Sequence, residues 1–392
     1  MNRASRFTNV AVIAFMQIAL VSAGTIQVSA ADTDYELKPT NLPGASGPVA
    51  LDYFAYDRAT GKVWVPASNT GNVVVIDEAT DAISQVTGFA TGEIQRHGKK
   101  ITVGPTAASI GNGVVYIGNR GDATICVIDA KSLARDECVP VSADGAVTPD
   151  GVVYVAATRE LWVTIRVKAG DNAPAKYLEV FDASDPHHLK AKTKIPLENL
   201  AEGYAVDNQR GLFYTNIEGL GATVAIDART KRIVSKWNAG SADVGGLALD
   251  GASGFLFVAC GDHVVNLDAA HDGKVLDSIR TGAGLDNIDY SADPKLLYAA
   301  ASQAATLTIA EVDDHGKFHL RATVPTVKGA RGVVAGKGET AYLIDPAEGR
   351  ILKLTRKSGS SLSALSRNNS LAHSEPRWVV ELLLTLVKAA YP

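Results

Sequence analysis

Leu51-Asp52-Tyr53-Phe54-Ala55-Tyr56-Asp57-Arg58-Ala59-Thr60-Gly61-Lys62-Val63-Trp64-Val65 and Pro149-Asp150-Gly151-Val152-Val153-Tyr154-Val155-Ala156-Ala157-Thr158-Arg159-Glu160-Leu161-Trp162-Val163 register without a gap. Both pass from an Asp through an apolar alternation to an Ala-Thr pair, and then to a tryptophan. Further copies centre on Val115-Tyr116-Ile117, Phe213-Tyr214-Thr215, Leu256-Phe257-Val258, Leu297-Tyr298-Ala299 and Ala341-Tyr342-Leu343. Seven aromatics (Trp64, Tyr116, Trp162, Tyr214, Phe257, Tyr298, Tyr342) therefore recur at spacings of 41 to 52 residues.

Each unit has one grammar. An apolar strand meets a polar turn, the aromatic strand follows, and a small polar loop leads to a third strand. That strand closes on Asp, as in Val75-Ile76-Asp77, Val127-Ile128-Asp129, Val180-Phe181-Asp182, Ala225-Ile226-Asp227 and Asn266-Leu267-Asp268. A fourth strand completes the unit. Four short strands in about 40–50 residues predict an all-β fold, a β-propeller of seven four-stranded blades. The seventh unit, 329–357, supplies only three strands. The stretch Asp34 to Leu42 reads as an unmatched fourth, so the N-terminal strand is expected to close the last blade and protect its edge.

Length alone suggests two or three domains for 392 residues, but the repeat makes 34–357 one ring. The 46% apolar and 20% charged composition is globular, and a net charge of −4 argues against nucleic-acid binding by bulk charge. Residues 1–30 read as a signal peptide: Arg3 and Arg6, the apolar run Val10 to Ala23, then Val28-Ser29-Ala30. A periplasmic or secreted, monomeric protein with no membrane span after signal removal is expected. Residues 358–392 read as a linker and a short apolar segment, Arg377 to Ala389, too short to span a bilayer.

In an oxidising compartment the hairpin geometry of blade 2 predicts a Cys126–Cys138 disulfide, symmetric about Ser132. Cys260 is left over. Histidines 187, 188, 271, 315 and 319 fall at outer turns without ligand spacing, and His263 stands alone. No nucleophile elbow, phosphate-binding glycine loop or haem-attachment motif is present. No catalytic residue is assigned.

The candidate site lies where the innermost strands meet the channel. The register places Asp52, Gly104, Asp150, Glu202, Gly245, Asp286 and Ala330 there, with Tyr53, Asn287 and Arg331 adjoining. Asp52, Tyr53, Asp150, Glu202, Asp286, Asn287 and Arg331 are the expected ligand-binding set. Four converging acids repel, and a cationic ligand or basic peptide would relieve that. Ca²⁺ on Asp52, Asp150, Glu202 and Asp286 would do the same. The alternative is that these acids cap strand ends and hold channel water. Beyond a possible Ca²⁺, no cofactor is expected. Asn69, Asn119 and Asn216 are expected to be structural loop residues on the same rim, and 93–100 a charged loop insertion there.

Tyr116-Ile117-Gly118-Asn119 and Tyr214-Thr215-Asn216, each followed by an apolar strand ending in Ile-Asp, resemble the YVTN-type β-propeller repeat of exported bacterial proteins. The resemblance spans about 34–357. Blades three, five and seven depart from the tetrapeptide, and blade three carries a longer loop from Lys168 to Lys176. It implies a non-enzymatic exported propeller binding a small molecule, peptide or protein at its channel mouth and rim loops. A metal-dependent lactonase- or lyase-like propeller enzyme and a surface-assembly protein are the other readings.

Overall fold

The computed structural model describes residues 33–96, 98–143, 147–167 and 176–357. The expected signal and tail segments and most of the Lys168–Lys176 loop lie outside the described residues. Seven four-stranded antiparallel sheets form, and six of them run in chain order from the innermost strand outward. Blade 1 holds Ala55–Asp57, Lys62–Ala67, Asn72–Asp77 and Ile83–Val86, and blade 4 holds Ala201–Asp207, Leu212–Ile217, Ala222–Asp227 and Arg232–Asn238. Blade 7 is built from Val333–Ala335, Ala341–Asp345 and Arg350–Arg356, with Tyr35–Asn41 as its outer strand. Tyr35 faces Arg356 and Asn41 faces Arg350, so the two ends of the ring are sewn together as expected.

The seven repeat aromatics all lie on second strands and are all buried. Their role is to fill the seams. The apolar clusters are divided among pairs of adjacent blades, with Trp64 against blade 2, Trp162 against blade 4 and Tyr342 against blade 1. Fully burying side chains of this size contributes about 1.5–3 kcal/mol each. The strand-closing aspartates have a local cause. Asp77 Oδ1 accepts the amides of Ala79 and Thr80, and Asp129 Oδ1 those of Lys131 and Ser132. Such carboxylate-capped turns reverse the chain into the fourth strand, and the bonds hold both acids below the usual carboxylate range.

The predicted disulfide is present: Cys126 and Cys138 are bonded. Blade 2 keeps only Val139–Pro140 as its fourth strand. Residues 93–96 and 98–100 belong to a two-stranded hairpin rather than a loop. Gly92–Arg96 pairs with Lys99–Val103, and alternation puts Ile94 opposite Ile101. Among the described residues, no helix is long and apolar enough to cross a membrane.

Candidate functional site

β-Bulges aim the site residues. The innermost strands shift register between Pro105 and Ala107, Pro149 and Val152, Glu202 and Tyr204, and Leu285 and Ile288. A bulge adds an unpaired residue and re-aims its side chain, and Asp150, Glu202 and Asp286 all sit at these irregularities. The structure brings the four predicted acids to one rim, where arginines thread between them. Arg331 Nη1 donates to Asp286 at 2.6 Å and its Nη2 lies 3.3 Å from Asp52. Arg120 bridges Asp52, at 3.5 Å, to Asp150. Arg166 donates from Nε to Asp150 at 3.0 Å and from its two terminal nitrogens to Glu202 and Glu218. The chain of charges thus runs through blades 6, 7, 1, 2, 3 and 4, and blade 5 breaks it with Gly245 and Gly246.

Of these arginines only Arg331 stood in the expected set. Arg120, Arg166 and Glu218 occupy a second periodic position, four residues after the repeat aromatic. Ser68, Arg120, Arg166, Glu218, Gly261, Ser302 and Pro346 are that series. Ser68 Oγ accepts the Gly104 amide at 2.9 Å, and Ser302 and Pro346 line cavities at the same rim. The second strand delivers its last side chain to the mouth just as the first delivers its opening one.

Tyr53 spans the channel. Its backbone is held against blade 2, donating to Thr106 O and accepting from Ala108 N, while its phenol donates to Glu202 Oε1 of blade 4 at 3.0 Å. Its ring stacks on Tyr204 with centroids 5.5 Å apart. Below this pair a cavity of about 350 Å³ is lined by Asn287, Asp289, Tyr56 and Arg58 among others. Asn287 therefore faces the interior beneath the charged ring.

The charges are unevenly compensated. Burial pushes Glu202 up to about 7, with Asp286 and Glu218 adding to the shift against Arg166. Burial also raises Asp286. Asp52 and Asp286 outweigh desolvation at Arg331 and hold its guanidinium protonated. On the side of blades 7, 1 and 2 the hairpin covers the mouth, and Ile94, Ile101 and Val103 enclose about 150 Å³ with Asp52, Arg120 and Arg331. On the side of blades 4, 5 and 6 it is open. There a pocket of about 470 Å³ is lined by Glu202, Glu218, Asp243 and Asp286, with no basic side chain.

This donor set does not fit Ca²⁺. Among the described residues no three carboxylate, histidine or cysteine side chains group around one point, and guanidinium groups fill the gaps between the acids. The rim asparagines hold loops: Asn119 Nδ2 donates to Ala90 O, Asn216 Nδ2 to Gly245 O and Asn69 Nδ2 to Pro48 O. Of the histidines, His319 lies in a strand rather than a turn and pairs with Asp313 at 3.0 Å.

Fold and rim together define a seven-bladed β-propeller with a charged, partly roofed channel mouth. No family model and no curated protein matches the chain. Solved structures do. A chain of the mitotic checkpoint complex is 14% identical, with a TM-score of 0.63 over 89% of this chain and 99% of that one. U3-55K is 10% identical, with a TM-score of 0.62 over 82% and 98%. A chain of hydrazine synthase from Kuenenia stuttgartiensis is 14% identical, with a TM-score of 0.61 over 86% and 99%. At these identities the likeness shows the fold alone.

Proposed function

We propose that this chain is an exported, non-enzymatic binding propeller of the YVTN-type kind, and that its open mouth pocket receives a cationic group of a small molecule or peptide. The observation that carries the reading is the open pocket of blades 4–6, lined by Glu202, Glu218, Asp243 and Asp286 and by no basic residue: Arg166 and Arg331 hold three of these acids from outside the lining, and Asp243 has no ion pair among the described residues. A cation there favours the charged form of Glu202, which burial and then the neighbouring Asp286 and Glu218 disfavour. Export is supported by the signal-like residues 1–30 and by the Cys126–Cys138 bond, which belongs to oxidising compartments. Isothermal titration with a tetralysine peptide tests the reading. Saturable binding is expected, weakening about tenfold between low and physiological salt. Glu218→Gln with Asp243→Asn should weaken it about fivefold or more. Absence of binding at low salt would sink the proposal.

A further inference from the structure

At the other end of the strands, a cavity of about 760 Å³ opens on the seam where blade 7 closes against blade 1. Its walls are the first turns of both blades, around Arg58 and Lys337, together with Glu78, Lys353 and, from blade 6, Asp293. What matters is which of these charges are already spent. Glu78 Oε2 accepts the Tyr56 phenol and its Oε1 accepts the Lys337 amide at 3.0 Å. A Cβ on Gly336 would lie 2.4 Å from Glu78 Oε1, so only glycine lets the carboxylate reach that loop. Asp77 turns its Oδ1 to the Ala79 and Thr80 amides and the Thr80 hydroxyl. Lys353 Nζ is held by Asp81 at 2.7 Å and by Glu78 O at 2.8 Å.

Two cations of the lining remain. Arg58 donates one long bond, 3.3 Å, to Tyr290 O, lies 6.0 Å from the Tyr56 ring centroid and is attracted by the buried Asp289, but has no ion pair among the described residues. Lys337 Nζ likewise has no ion pair among them. Both Glu78 oxygens already accept hydrogen bonds, and Glu78 forms no ion pair with either cation among the described residues. Tyr56 and Arg58 also line the channel cavity, so the two cavities share a wall. We propose that this seam is a second binding site, in which Arg58 and Lys337 take the carboxylate or phosphate group of a small organic anion. The planar guanidinium of Arg58 supplies paired donors to that group and Lys337 a mobile point charge. Asp293, on the far margin, faces the remainder of the same molecule as an acceptor for hydroxyls.

Isothermal titration of the full chain at low salt with D-glucuronate and, separately, with inorganic phosphate tests this. Saturable binding of at least one is expected, and which one binds identifies the group recognised. Arg58→Gln should weaken binding about tenfold and Lys337→Gln about threefold, with unchanged circular dichroism. Lys236→Gln, in a surface pair with Glu198, should leave it unaltered. Binding by neither probe, wild-type affinity in Arg58→Gln, or an equal loss in Lys236→Gln would overturn the proposal.

Discussion

The Tyr53 phenol donates to Glu202 Oε1 at 3.0 Å across the channel, joining blade 1 to blade 4. Blades three positions apart in a ring of seven stand on opposite sides, so one side chain ties the ring across its axis. The tie ends on a carboxylate whose charge the surroundings disfavour. That gives it a pH dependence.

Glu202 has a folded pKa of about 7 against an ordinary 4.5. Between those values the folded protein keeps a proton that the unfolded chain releases. Its stabilising contribution is therefore full below about 4.5 and lost as pH rises through 7, roughly 3 kcal/mol in all. Urea unfolding at pH 5 and pH 7.5 should show wild type losing more stability than Glu202→Gln over that interval. His187, whose pKa is raised by its bond to Asp136, is common to both and cancels. Equal losses would refute the assignment.

Arg166 serves three carboxylates, Asp150, Glu202 and Glu218. Arg166→Met leaves them without their shared cation in a half-buried site, at a cost of about 3–5 kcal/mol. Arg166→Lys should recover only part, because one ammonium cannot reproduce a planar fork reaching three partners. Adding Glu202→Gln and Glu218→Gln to Arg166→Met should recover more. Denaturant midpoints of the four proteins decide it, and a mild effect in Arg166→Met would dismiss the network.

How far the sequence carried this site depends on where each residue sits in the repeat. Asp52, Asp150, Glu202 and Asp286 were legible because they share one register position set by the strand period. Closure by Tyr35–Asn41 was legible because the seventh unit lacked a strand. Arg120 and Arg166 were not singled out, although their position repeats equally well. That position holds Ser, Arg, Arg, Glu, Gly, Ser and Pro in turn, so no shared chemistry marks it, and the acids of the first strands read as uncompensated. The hairpin of Gly92–Arg96 and Lys99–Val103 was obscured by its charged tip, which masks the short Ile94 and Ile101 alternation. The seam cavity was beyond sequence reasoning, since it forms only where the last blade meets the first.

The repeat aromatics make a contrasting prediction. Tyr116, Tyr214 and Tyr298 are buried, and their phenol oxygens have no hydrogen-bond partner among the described residues. Phe257 fills the same position without a hydroxyl. Tyr298→Phe removes an unsatisfied polar atom and keeps the ring, so it should change stability by less than about 0.5 kcal/mol, or raise it. Tyr53→Phe removes a bond to a carboxylate and should cost about 1.5–3 kcal/mol at pH 7.5. A larger loss for Tyr298→Phe than for Tyr53→Phe in chemical denaturation would reverse the argument.

Closure of the ring can be tested by removing the strand that makes it. Tyr35–Asn41 pairs along its whole length with Arg350–Arg356, and the flanks are held by Lys357 N to Asp34 O at 2.8 Å and Leu42 N to Gly349 O at 3.0 Å. Tyr35 is buried and its phenol donates to Glu339 at 2.6 Å, while Leu42 is buried against blade 1. A chain beginning at Pro43 loses both side chains from the core and leaves Arg350–Arg356 as a bare edge. Burial alone puts the cost at about 3 kcal/mol or more, and the exposed edge offers itself to other molecules. The truncated protein should unfold at lower temperature and elute as oligomers. A synthetic peptide covering residues 33–42 should restore the elution position of the full chain and much of the lost stability by adding the strand in trans. A truncated monomer with an unchanged melting temperature would mean that the ring holds without its seam.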